Sequence, residues 1–192
     1  MSSTLADMPE ALYFTDDAEA NALIASDPLA LLIGFALDQQ VTVPTAFLGP
    51  LKLRNRLGTL DAGAIAATDP ARLEAVFRER PAIHRFPGNM ARRVHDLCGF
   101  VTERYDGDAA AVWTQARDSD DLRRRIEELP GFGEMKVKAL GAVLAKRFGV
   151  AVAEGLVPEH PTLGDVDSRE ALDAYQAQKR AYKASLKSLE VS

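Results

Sequence analysis

The sequence predicts an all-α fold, and three observations carry that prediction. Apolar residues recur at spacings of three and four through most of the 192 residues. Strand-period alternation is nearly absent. Asp-Pro pairs at Asp27-Pro28 and Asp69-Pro70 supply the cap and first-turn proline that start helices.

Taken in order, residues 11–15 (Ala-Leu-Tyr-Phe-Thr) read as a short strand or an extended arm. Asp27-Pro28 opens a helix that is apolar nearly all round (Leu29, Leu31, Leu32, Ile33, Phe35, Leu37), so it belongs at the centre of the fold. That helix ends around residues 38–42, and Pro44 opens the next element. Thr68-Asp69-Pro70 starts another, with Leu73, Val76 and Phe77 inward. Met90, Val94, Leu97, Cys98, Val101 and Tyr105 form one stripe of an amphipathic helix, closed by Asp106-Gly107. Leu122, Ile126 and Leu129 mark a helix stopped by Pro130-Gly131. Val137, Leu140, Val143 and Leu144 mark the one after it, which closes at Phe148-Gly149. Residues 150–166 look irregular. Asp167-Ser168-Arg169-Glu170 then reads as a capping box, with Asp167 accepting from the Glu170 amide, that opens the final helix.

Composition narrows the function classes. The longest apolar stretch, Pro28 to Leu37, is half of the roughly 20 residues a membrane span needs. The first residues carry acids and no Lys or Arg, unlike a signal or transit peptide. One cysteine, Cys98, excludes a disulfide framework within the chain and four-cysteine zinc or iron–sulfur sites. His84, His95 and His160 form no His-x-x-x-His pair. The expectation is a cytoplasmic monomer with no bound metal. Net charge is −5, but residues 1–51 hold seven acids and no Lys or Arg, leaving a net of +2 for the rest. An acidic head and a mildly basic body are compatible with one basic face.

The most specific run is Leu129-Pro-Gly-Phe-Gly-Glu-Met-Lys136, between two amphipathic helices. Pro130 stops the first helix, while Gly131 and Gly133 permit a tight turn with positive φ. The second helix starts at once, so turn amides and the helix N-terminus converge on a phosphate-binding nest. Lys136 and Lys138 would add positive charge. The plainer alternative is a helical hairpin whose glycines serve only the turn.

This run resembles the helix-hairpin-helix of the HhH-GPD DNA glycosylase superfamily, which includes endonuclease III, the adenine glycosylase and the 3-methyladenine glycosylases. Ala36-Leu-Asp-Gln-Gln-Val-Thr42 is similar to the Gln-bearing end of that family's early buried helix. Phe86-Pro-Gly-Asn-Met-Ala-Arg-Arg-Val94, followed by Tyr105-Asp-Gly-Asp108, is similar to the helix pair before the hairpin. About 120 residues, Asp27 to Gly149, follow the family order. The resemblance implies one HhH-GPD-like bundle of two lobes across residues 1–192. Residues 28–145 would form the central lobe, with the hairpin at 120–149, and residues 1–27 plus 146–192 the second. It also implies duplex DNA with a damaged base as partner, base excision as the reaction, and no cofactor beyond a monovalent cation on the hairpin carbonyls.

The family places a carboxylate after the second hairpin helix, usually in Val-Asp-Thr, to stabilise the oxocarbenium-like sugar as the base leaves. Val166-Asp167-Ser168 matches that pattern, and Asp165 competes with it. Asp167 lies 38 residues beyond Leu129, further than in the family pattern, which implies an insertion. Helix capping alone would also explain Asp167. Asp38, if buried, is a reserve carboxylate. Family members that also nick DNA carry a nucleophilic Lys two residues after the second hairpin glycine. Met135 stands there in this chain, and a one-residue step turns a helical side chain by about 100°, so Lys136 reads as a phosphate contact or a solvated residue. The resemblance therefore implies a monofunctional glycosylase. DNA contacts would come from Gly131, Phe132, Gly133, Met135, Lys136 and Lys138, from Gln39 and Gln40 as wedge, and from Arg92. Gln39 and Gln40 are otherwise polar helix-end residues, and Arg92 and Arg93 otherwise a solvated face. Trp113, Phe47, Phe86 and Phe100 read as core. A non-catalytic DNA-binding protein of the same fold, or a helical protein-interaction module, would share most of these features. The lesion is not specified, although Gln-Gln-Val-Thr leans toward alkylated bases.

Overall fold

A computed structural model describes residues 8–190. Ten α-helices carry these residues, and no strand is found among them. They are α1 (Ala18–Ser26), α2 (Pro28–Leu37), α3 (Val43–Leu57), α4 (Ala62–Ala66), α5 (Pro70–Arg78), α6 (Pro87–Tyr105), α7 (Ala111–Thr114), α8 (Ser119–Glu127), α9 (Glu134–Phe148) and α10 (Arg169–Glu190). Two 3-10 turns, Ala151–Leu156 and Leu163–Asp165, bridge α9 to α10.

Capping by Asp explains half of the helix starts. Asp17, Asp27, Asp61, Asp69 and Asp118 accept first-turn amides of α1, α2, α4, α5 and α8; each such cap contributes about 1 kcal/mol. Positive φ at Asp106 and at Gly149 ends α6 and α9 where the chain changes direction. Nine of the ten α2 residues, from Leu29 to Leu37, are buried, as its all-round apolar sequence requires. α2 packs on α3, α1 and α6, and Phe47 of α3 meets Phe14 and Phe35 edge-on at 4.9 and 5.1 Å. α4 and α5 cover α6. A single core cluster runs from Leu12 to Leu172.

Two local expectations become more specific and one changes. Residues 11–15 form no strand; the segment is pinned instead by Leu12 N–H to Asn21 O at 3.0 Å and by Thr15 bonded to the Asn21 side chain. Residues 150–166, expected to be irregular, contain the two 3-10 turns and pack on α9, where a Cβ on Gly164 would sit 2.6 Å from the Ala142 carbonyl oxygen. The capping of α10 falls to Ser168, whose Oγ accepts from Ala171 N–H at 3.1 Å, not to Asp167. α10 itself is buried only at Leu172 and runs on with Tyr182, Leu186 and Leu189 exposed. Among the described residues no single helix is long and apolar enough to cross a membrane; α1 and α2 together are, but they are bent by 114° and lie in the core.

Candidate nucleic-acid interface

Two turns face each other across a cleft of about 590 Å³. One is the hairpin turn between α8 and α9, contributing Pro130 and Gly131. The other follows α2 and contributes Gln39 and Gln40. Phe86, Asn89, Met90, Arg92, Arg93 and Asp96, at and along α6, form the remaining wall.

The hairpin turn is built around Gly131. Its φ of +82° is open to glycine, and a Cβ there would meet Cδ and Nε of Arg93 at 2.8 Å. Gly133 is extended (φ −102°, ψ −171°), so only the first glycine supplies the left-handed turn. α9 begins with no capping side chain, and the Gly131 and Gly133 amides donate no hydrogen bond within the described residues. Both residues are exposed, so these N–H groups and the helix dipole face solvent. Among the described residues the carbonyls of Pro130, Gly131 and Phe132 accept no backbone hydrogen bond, which leaves them as the groups that would hold a cation. No cluster of three or more His, Cys, Asp or Glu side chains suited to a metal occurs among the described residues.

The hairpin side chains divide unexpectedly. Phe132 is 5% exposed and plugs the turn into the core, so it meets a ligand only through its backbone. Met135 is 81% exposed at the tip. Lys138 pairs with Glu134 at 3.2 Å. Lys136 is tied into the fold rather than extended into solvent. It is half-buried, with Nζ 3.4 Å from the Ala36 carbonyl and 5.3 Å from the Phe132 ring centroid. Burial, helped by the nearby Arg93 charge, lowers its ammonium pKa to about 8, although Asp38 works in the other direction.

The facing turn is held by a residue that the sequence marked only as a scattered histidine. His84 is 1% exposed, and its Nε2 lies 3.1 Å from both the Leu37 and Gln39 carbonyls. Those oxygens only accept, so Nε2 carries the proton and Nδ1 accepts from Phe86 N–H at 3.0 Å. Burial lowers its pKa, keeping the ring neutral. With its ends clamped, the turn projects Gln40 at φ +56°, in a left-handed conformation rare for a residue with a side chain. Arg93 donates to Gln39 Oε1 while covering Gly131, so this one guanidinium joins the two turns. Arg92 is exposed on the cleft wall. Phe86, expected in the core, is 37% exposed at the cleft with the Arg85 guanidinium 4.9 Å above its ring; Phe47 and Trp113 are buried, and Phe100 is half-buried.

The carboxylates sort by position. Asp165 salt-bridges Lys146 at 2.5 Å and accepts from Thr162 N–H at 2.8 Å. Burial pushes its pKa up, but these two partners outweigh it and hold the carboxyl below its ordinary value. Lys146 lies twelve residues along α9 from Glu134, about 18 Å at the helical rise. Asp167 is exposed in a depression of about 340 Å³ shared with Glu10, Tyr13, Lys146 and Arg147. Neither acid lines the cleft. Asp38 caps the C-terminal end of α2 beside Gln39 and is half-buried. Burial raises its pKa against the opposing pull of Lys179, Lys136 and Lys183. Tyr175 of α10 shares this environment; burial and the Asp38 charge both raise its phenol pKa. No protein-family model, curated protein or solved structure matches the chain.

Proposed function

We propose that this chain is a base-excision DNA glycosylase of the HhH-GPD type, its two lobes gripping duplex DNA and hydrolysing the N-glycosidic bond of a damaged base. The observation that carries the reading is the cleft in which the donor-rich hairpin turn faces the clamped Gln39–Gln40 turn. Phosphates fit the exposed Gly131 and Gly133 amides, with Arg92 and Arg93 adding positive charge. Gln40, held out at the tip of its turn, would fill the gap left by an extruded base. Met135 occupies the position where strand-nicking relatives carry their lysine, so base loss would leave an intact abasic strand.

The test is single-turnover base release from labelled duplexes bearing alkylated purines, uracil, 8-oxoguanine or mismatches, with strand breaks read before and after alkali. Breaks that appear only after alkali are the expected result. The surface positions of Asp165 and Asp167 favour a second reading, a non-catalytic lesion-binding protein of the same fold. That protein would bind every duplex and release no base.

A further inference from the structure

We infer that α10 pairs with a second copy of this chain, the apolar end of each helix seating in the groove at the base of the other. The inference is independent of what the cleft binds.

Two surfaces of the chain complement one another. The first is the outer end of α10. Every residue from 180 to 190 is exposed, so the helix runs on for about 15 Å past the body at roughly 1.5 Å per residue. On that stretch Tyr182, Leu186 and Leu189 are 66%, 44% and 73% exposed. Single exposed leucines are ordinary. These three, however, stand at i, i+4 and i+7, the spacing of a helix that docks along one face. The second surface is a groove of about 400 Å³ at the base of α10. Ala171, Ala174 and Tyr175 of the helix line it, facing Pro161, Thr162 and Val166 of the body.

Both surfaces lie on the same side of α10. At about 100° per residue, Ala171, Tyr175, Tyr182, Leu186 and Leu189 fall within an arc of about 60°, and Ala174 lies next to it. Arg180, Lys183 and Lys187 are turned by roughly 90° or more from the centre of that arc, so they stay in water when it is covered. Leu172, at the margin of the arc, is buried in the body, and Tyr175 packs against the core. The exposed stripe therefore continues the face by which α10 is already docked.

That continuity selects the occupant. The body stands on the side toward which the stripe points, so a flat bilayer would meet the body before it reached Leu186. A single helix fits alongside. An antiparallel α10 from a second copy, related by a two-fold axis near the middle of the 171–189 stretch, sets Leu189 of each copy on Ala171 and Ala174 of the other. The alanines leave the hole that a leucine fills, and the same contact is made twice, as a closed dimer requires. Such a contact buries on the order of 1,000 Å² in total, the lower end for a specific interface, which suits a weak dimer.

The experiment is analytical ultracentrifugation of the full chain over a micromolar concentration series, in low and high salt. It compares wild type, Leu189→Glu, Ala174→Lys and an equimolar mixture of the two variants. Wild type should pass from 20.8 kDa toward twice that mass. Salt should strengthen the pairing, because Lys179, Lys183 and Lys187 of the two helices repel one another. Each variant alone should dimerise at least tenfold more weakly, since it carries a charge into the apolar contact at both ends. The mixture should dimerise better than either variant, because one end of the pair then holds opposite charges and the other is native. Positions 174 and 189 are exposed, so both variants should keep the wild-type circular dichroism. A wild type that stays monomeric throughout overturns the inference. So does a dimer that both variants leave intact, or one that the mixture fails to recover. A monomer that binds phosphatidylcholine–phosphatidylglycerol vesicles or duplex DNA in low salt, and loses that binding with Leu189→Glu, overturns it in favour of an anionic surface.

Discussion

Gly131 shows how closely the cleft depends on single atoms. Its left-handed φ and the Arg93 side chain stacked on it leave no room for a methyl group. Gly131→Ala should therefore destabilise the protein by about 1–3 kcal/mol. It should also displace Arg93 from Gln39 and weaken duplex binding; urea unfolding and a binding titration would read the two effects separately. His84 gives a second test. Its ring is neutral in the fold, and in the unfolded chain it takes up a proton below its ordinary value of 6.5. The unfolded state then binds more protons, so stability should decline as pH falls from 6.5 through the lowered folded value. His84→Ala should be less stable at pH 7 and lack that part of the acid slope in denaturant midpoints measured between pH 7 and pH 5.

At the scale of elements, helix starts and stops were written in the chain by local chemistry. Asp27-Pro28, Asp69-Pro70, Asp106-Gly107 and Phe148-Gly149 bound α2, α5, α6 and α9 where caps and turn residues predict. The short helices α4 and α7, of five and four residues, contain too few turns to show a period. The cleft was legible only in halves. Both of its turns stood out, one through glycine spacing and the other through a glutamine pair after an apolar helix. What joins them did not, since His84 reaches Leu37 across 47 residues and Arg93 reaches Gln39 across 54. No local pattern records such a pairing. The two acids picked from a motif after α9 fell at the far end of that helix because the 150–166 segment packs along it rather than returning to the hairpin.

α8, the first hairpin helix, has its own electrostatic anchor. Asp121 is 5% exposed, accepts from Arg117 N–H at 3.1 Å, and is flanked by Arg124 and Arg125. The Arg117 amide bond outweighs burial and, with the Arg125 and Arg117 guanidiniums, lowers the carboxyl to about 2. This support is present above 3.8, the ordinary value, and is lost as pH falls from there toward about 2. Asp121→Asn should lower the melting temperature at pH 7 and flatten the acid-unfolding curve in that window, as followed by circular dichroism.

For the whole molecule, the acidic head is exposed but largely engaged in contacts within the chain. Asp17 and Asp27 cap helices, Glu19 meets Arg54 at 2.5 Å, and Asp16 pairs with Arg169. The net charge of −5 therefore overstates the repulsion that a polyanion would meet at the cleft. Duplex affinity should fall with salt by a log–log slope of about −0.9 per phosphate engaged. Arg92→Ala should make that slope shallower by about 0.9 and weaken damaged and undamaged duplexes alike. Fluorescence anisotropy across a salt series would measure both.

The side chain at the hairpin tip makes the molecule its own footprinting probe. Met135, 81% exposed, offers peroxide an open thioether, Met8 at 38% is a slower internal standard, and Met90 at 4% is sheltered. A bound duplex that seats on the hairpin would shield Met135 from oxidation while leaving Met8 to react. The mass spectrum of one peptide would then record where the nucleic acid rests, with no label added to either molecule.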